Sequence, residues 1–240
     1  MKNKQHWVNW SVIFFSLTVV LALFSWIGSI YGMKEVQSLL SAEGVRWVLG
    51  HVVENYVQSP ALGVVLILMM GLGIGKQAGL YEVLRRLCNK EKQLSRKERR
   101  ALTLASMTLG VFCIVVLITL MLPWNFLQSV TGDWLYSPFS KGLVYIFSIG
   151  IGLSGMTYGY VSGAFRRLSD VVDGMASLIV SRASYFVSLF FIVQFFSSLF
   201  YTRLADSLSV NDEFLSVVYI VFCYLPLFDF KGRNRSPNSL

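Results

Sequence analysis

The sequence predicts an all-α, polytopic integral membrane protein with about six transmembrane helices. The 240-residue chain is 55% hydrophobic, with mean hydropathy +0.59. Six apolar stretches, residues 10–31, 61–75, 101–122, 142–164, 183–201 and 214–228, hold no Asp, Glu, Lys or Arg. The Lys and Arg residues between them alternate between dense and sparse from one polar segment to the next. A charge at the centre of a membrane helix costs about 2.5–3.5 kcal/mol, so a bilayer imposes this segregation and water does not.

Each element follows from its own residues. Residues 10–31 follow Lys2 and Lys4 and end in Ser25-Trp26-Ile27-Gly28-Ser29-Ile30-Tyr31. No small-x-small site closes that run, which reads as a retained anchor rather than a cleaved signal peptide. Residues 61–75 are short for a bilayer that needs roughly 20 helical residues; continuation to 87 supplies the length. Ahead of them, Leu39, Leu40, Val45, Val48, Leu49, Val52 and Val53 recur at helical spacing. That pattern predicts an amphipathic helix over about 37–57 along the outer face of the membrane. Residues 101–122 end before Pro123 and Trp124, a stop at an interface. Residues 142–164, 183–201 and 214–230 complete the spans, the last being short. Together residues 1–240 read as one membrane domain. The mixed-charge run 90–100 reads as a solvated linker that fixes topology, and 163–182 as a polar loop.

Orientation follows from the positive-inside rule. With both termini cytoplasmic, 17 of the 21 Lys and Arg residues lie inside and 4 outside. Segment 76–100 alone carries nine. Trp7, Trp10, Trp26, Trp47, Trp124 and Trp134 lie near span ends or in outer loops, the depth amphipathic rings favour. The expected location is the cytoplasmic (inner) membrane, multi-pass.

Other functional classes fit poorly. The +8 charge gathers beside apolar spans, where it orients the chain against lipid, and calls for no nucleic acid. Cys88, Cys113 and Cys223 have no metal or redox spacing. His6 and His51 stand alone. No Ser/His/Asp, Cys/His or paired-carboxylate set is evident, so neither an enzyme nor a metal or other cofactor is expected. The string Gly71-Leu72-Gly73-Ile74-Gly75-Lys76 lacks the spacing of a phosphate loop.

Within the spans, Gly71, Gly75 and Gly79, and likewise Gly155, Gly159 and Gly163, repeat every fourth residue. That spacing lines one helix face and lets another backbone approach closely. The two sets are therefore expected to pack helices, or to mark a helix that unwinds near the midplane to meet a substrate. No carboxylate lies within the six apolar cores, although ion-coupled transporters commonly hold one in the membrane. Gln194 is the most polar group in mid-span. It serves either an interhelical hydrogen bond or a substrate.

Several segments resemble the p-aminobenzoyl-glutamate transporter (AbgT) family. Ser38-Leu39-Leu40-Ser41-Ala42-Glu43-Gly44-Val45-Arg46-Trp47 resembles its LLS-x-EG-x-x-W segment. Asn55-Tyr56-Val57-Gln58-Ser59-Pro60-Ala61-Leu62-Gly63 is similar to its NF-x-x-F-x-PLG, with a change of order around the proline. Gly71 to Leu80 is similar to GxGxAExxGL, but Gly75-Lys76 stands where the family has Ala-Glu. Ser137-Pro138-Phe139, the pair Tyr158-Gly159 with Arg166, Arg167 and Asp170, and Phe190-Phe191-Ile192-Val193-Gln194-Phe195 extend the resemblance in order. The resemblance implies a deletion between about Leu87 and Lys92, where longer family members carry a first re-entrant hairpin. The second hairpin is also largely absent. In the family those hairpins build the substrate and ion site.

The resemblance implies transport of p-aminobenzoyl-glutamate or related small anions, incomplete without a partner subunit or a homo-oligomer, with Asn55 and Gln194 as candidate substrate contacts. The alternative is a non-transporting, scaffold-like protein that associates with other membrane proteins.

Overall fold

The computed structural model describes residues 9–33, 36–89, 94–121, 137–207 and 210–228. The expectations for Pro123, Trp124, Lys90 to Lys92, the terminal basic clusters and the end of the last span lie outside them. Among the described residues there are ten α-helices and no strand: α1 Trp10–Ile30, α2 Ala42–Val57, α3 Leu62–Gln77, α4 Leu80–Cys88, α5 Arg96–Met121, α6 Pro138–Ser162, α7 Leu168–Ser181, α8 Ala183–Thr202, α9 Leu204–Ser207 and α10 Asp212–Phe228.

Among the described residues, five stretches are long and apolar enough to cross a membrane: Trp10–Ile30, Ala42–Gln77 (through α2 and α3), Arg96–Met121, Pro138–Ser162 and Ala183–Thr202. The sixth expected span, 214–230, falls on α10, which has 17 residues. At 1.5 Å per residue it reaches about 25 Å, less than the ~30 Å of a typical hydrocarbon core.

Local chemistry sets the helix ends. Ser41 caps α2 by accepting from Gly44 N at 3.0 Å, and Ser137 caps α6 by accepting from Ser140 N at 3.1 Å, with Pro138 in the first turn. The expected single helix over 61–87 is divided. Gly79 adopts φ +80°, a left-handed conformation that ends α3 and starts α4. Gly163, at φ +83°, ends α6 in the same way. The expected polar loop 163–182 instead contains α7. Its first turn forms because the Asp170 carboxylate accepts from the backbone N–H groups of Arg166 (2.7 Å) and Arg167 (3.0 Å).

Residues 1–240, expected to form one membrane domain, divide into two compact units, 1–63 with 183–240, and 64–182. In the first, α8 is central and packs against α1, α2, α9 and α10. Phe14 of α1 meets Phe195 and Phe222 edge-on at 5.5 Å each. Tyr185, Leu189, Ile192 and Val193 of α8 are fully buried. In the second unit, α5 packs along α6, and α4 also touches α6. Ile74, Leu80, Val83, Ala101, Ala105, Tyr158, Phe165 and Val171 share its core.

Candidate functional site

In the first unit, the sequence-predicted Gln194 lies half-buried on α8. Its Nε2 donates to Val52 O of α2 at 2.7 Å, so the amide joins two helices. Tyr56 strengthens the same α2–α8 contact by donating from its hydroxyl to Phe186 O at 3.1 Å. Near the N-terminal end of α2 and the C-terminal end of α8, Trp47 stacks on Tyr201 with ring centroids 4.3 Å apart. α10 is tied in by Tyr185 and Tyr224, whose hydroxyls donate to Cys223 O (3.1 Å) and Pro60 O (3.2 Å). None of these tyrosine donors was evident from sequence. A tyrosine in an apolar run gives no sign of which distant carbonyl it will reach.

Beside Gln194 lies an open groove of about 360 Å³. α1 contributes Phe15, Thr18 and Ala22; the turn before α2 gives Leu39 and Leu40; α2 gives Val45, Val48, Leu49 and Val52; α8 gives Phe190, Phe191, Gln194 and Ser198. Its lining holds no charged side chain. Thr18 Oγ1 is already spent on Phe14 O at 2.8 Å. The groove therefore suits an apolar moiety, with Gln194 as its main polar group.

Asn55, the second candidate contact, is on α2 but not in that lining. Among the described residues, its Nδ2 and Ser59 Oγ are buried polar atoms without a hydrogen-bond partner. Buried donors of this kind are costly when left unmade. The structure thus places Asn55 and Gln194 in one unit with different surroundings: one amide engaged, one with a free donor.

In the second unit the glycines allow close backbone contact. A Cβ on Gly71 would sit 2.5 Å from Ser148 Oγ and 2.9 Å from Ser148 C, and nearer still to its carbonyl oxygen. One on Gly155 would sit 2.9 Å from both Cα and N of Gly75. Gly159 lies under the Phe165 ring, in the turn that follows its own helix. Gly79 and Gly163, expected on the same stripes, instead hold the left-handed turns. A Cβ at Gly79 would meet nothing within 4 Å.

Small hydroxyls complete these contacts. Ser148 Oγ donates to Ile67 O at 2.6 Å, Ser154 Oγ to Ala105 O at 3.1 Å, and Ser177 Oγ to Gly73 O at 3.3 Å. A serine beside the glycine stripe was the available sequence signal for Ser148 and Ser154. Ser177 lay in the expected loop and gave none.

Two carboxylates in this unit have structural partners at helix ends. Arg86 Nη2 pairs with Glu98 Oε1 at 3.0 Å, and Glu98 Oε2 accepts from Ser95 N at 2.9 Å. The two backbone N–H groups beside Asp170 hold its carboxyl below the ordinary value of 3.8. Among the described residues, no group of three or more His, Cys, Asp or Glu could hold a metal ion.

The sequence model described as the AbgT putative transporter family matches residues 7–91 and 85–220. The two matched segments meet at 85–91, around the expected deletion. The p-aminobenzoyl-glutamate transport protein of Escherichia coli (strain K12) is 31% identical over 83 residues, 30% of this chain and 16% of that protein. The chain therefore aligns with about a sixth of that curated relative. Among solved structures, the Alcanivorax borkumensis YdaH transporter, described as having an unusual topology, superposes with TM-score 0.75 at 18% identity, covering 88% of this chain and 74% of that one. Neisseria gonorrhoeae MtrF, described with a class of antimetabolite efflux pumps, gives TM-score 0.73 at 15% identity over 84% and 71%. At these identities the two superpositions establish a shared fold.

Proposed function

Because the chain belongs to the AbgT putative transporter family, we propose that it takes part in moving p-aminobenzoyl-glutamate or a related small anion. It works as an incomplete carrier, supplying scaffold helices to a site that a partner subunit or further copy of the chain completes. The family match across 7–220 carries this reading. The substrate class comes from the Escherichia coli relative, whose name states it. The need for completion is supported by chemistry. A small anion requires cationic or strong donor groups in a low-dielectric site, and the groove beside Gln194 is lined by apolar and neutral side chains. Asn55, with its free buried donor, is the better candidate for a polar substrate contact; Gln194 serves first to hold α2 on α8. Both termini face the cytoplasm in this reading.

Deleting the gene from its own cell and following labelled p-aminobenzoyl-glutamate tests the proposal. Altered uptake or efflux, restored by the intact chain, is the expected result. Unchanged fluxes would favour the non-transporting scaffold, a reading that the charge-free groove also supports.

A further inference from the structure

We propose that the first turns of α5 form a binding site for an anionic phospholipid. Arg96, Arg99, Arg100, Thr103, Leu104 and Met107 line an open recess of about 500 Å³. Their offsets of 0, 3, 4, 7, 8 and 11 residues place all six on one face of a helix with 3.6 residues per turn. The segment is helical, so its cations are arrayed rather than scattered along a solvated linker. The three arginines are exposed, and among the described residues none of them has an ion-pair partner. Glu98, within the same run, is turned away to Arg86 and Ser95 N.

Depth distinguishes a lipid from a soluble anion. From Ala101 to Met121 the helix carries no charge. Its length at 1.5 Å per residue is about 30 Å, the thickness of a hydrocarbon core. That places Arg96 to Arg100 at headgroup level and Leu104 and Met107 just beneath, with side chains 45% and 60% exposed. Guanidinium groups offer forked donors to a phosphodiester, and the apolar residues below offer a surface to its acyl chains. A free phosphate would use only the upper half.

The test uses the full chain purified in mild detergent, supplied with phosphatidylglycerol or phosphatidylcholine and read by native mass spectrometry. Preferential retention of phosphatidylglycerol is expected. The triple variant Arg96→Gln/Arg99→Gln/Arg100→Gln is expected to weaken that retention by roughly 5-fold per arginine lost. The double variant Leu104→Ser/Met107→Ser keeps every charge, and hence the topology signal, and is expected to weaken retention as well. It decides the matter if the triple variant does not insert. Inorganic phosphate at equal concentration is not expected to displace the lipid. Equal retention of both lipids, wild-type retention by the double variant, displacement by inorganic phosphate, or a dimer that forms in place of the lipid complex would each overturn the proposal.

Discussion

Replacing Gly71 with Ala tests the close packing of the second unit. The new Cβ would lie 2.5 Å from Ser148 Oγ and 2.9 Å from Ser148 C, well inside the 3.5–4.0 Å at which carbon atoms attract. α3 and α6 must move apart or deform, at a cost of about 1–3 kcal/mol. The shift also endangers the 2.6 Å bond from Ser148 Oγ to Ile67 O, a further ~0.6–1.7 kcal/mol in a membrane protein. Alanine's better helix propensity returns about 1 kcal/mol. Gly110→Ala isolates that last effect, because its Cβ meets nothing within 4 Å. The two variants should therefore differ in stability by roughly 2–5 kcal/mol. In thermal unfolding of the purified chain in detergent, this corresponds to a Tm gap of roughly 4–20 °C for a protein of this size. Adding Ser148→Ala should relieve Gly71→Ala only in part, since the backbone contact remains. Equal Tm values for Gly71→Ala and Gly110→Ala would mean that α3 and α6 are not in close backbone contact at Gly71.

Three other outcomes follow. Gln194→Leu removes the bond to Val52 O and should cost about 0.6–1.7 kcal/mol, read as a lower Tm, while flux of p-aminobenzoyl-glutamate in cells stays near wild type; loss of flux without loss of stability would make Gln194 a substrate contact. The folded-state pKa of Asp170 lies below its unfolded value, so its stabilisation is complete above the unfolded value and is lost as pH falls through the folded one. A Tm–pH series from about pH 5 to 2 should fall more steeply for wild type than for Asp170→Asn, and parallel curves would remove the cap. For orientation, an impermeant thiol reagent should label Ser207→Cys in intact cells but reach the exposed Cys88 only after permeabilisation; the reverse pattern would invert the topology.

The membrane class was legible because a charge inside a bilayer costs more than most local preferences contribute, so the charge-free stretches lie close to α1, α5, α6, α8 and α10. Where that signal was weak, reading failed. Arg166, Arg167, Asp170 and Arg182 made 163–182 look like a charged loop, although Asp170 is the residue that starts α7. Periodicity marked Gly79 and Gly163 as members of packing stripes, because spacing is blind to φ. Gln194 stood out as a polar residue in an apolar run, but its partner, Val52 O, lies 142 residues away and no local pattern encodes it. Arg96, Arg99 and Arg100 were lost in a mixed-charge count until the helix placed them on one face.

Uptake of labelled p-aminobenzoyl-glutamate into proteoliposomes decides whether the chain is a carrier that needs completion. If a partner subunit completes the site, vesicles holding only this chain should take up no more than empty vesicles, and vesicles holding the chain with membrane proteins from its own cell should exceed those prepared from cells lacking it. Uptake by the purified chain alone at its wild-type cellular rate would contradict the need for a partner subunit and leave a further copy of the chain as the completing element, and equal uptake by both membrane preparations would contradict a part in transport.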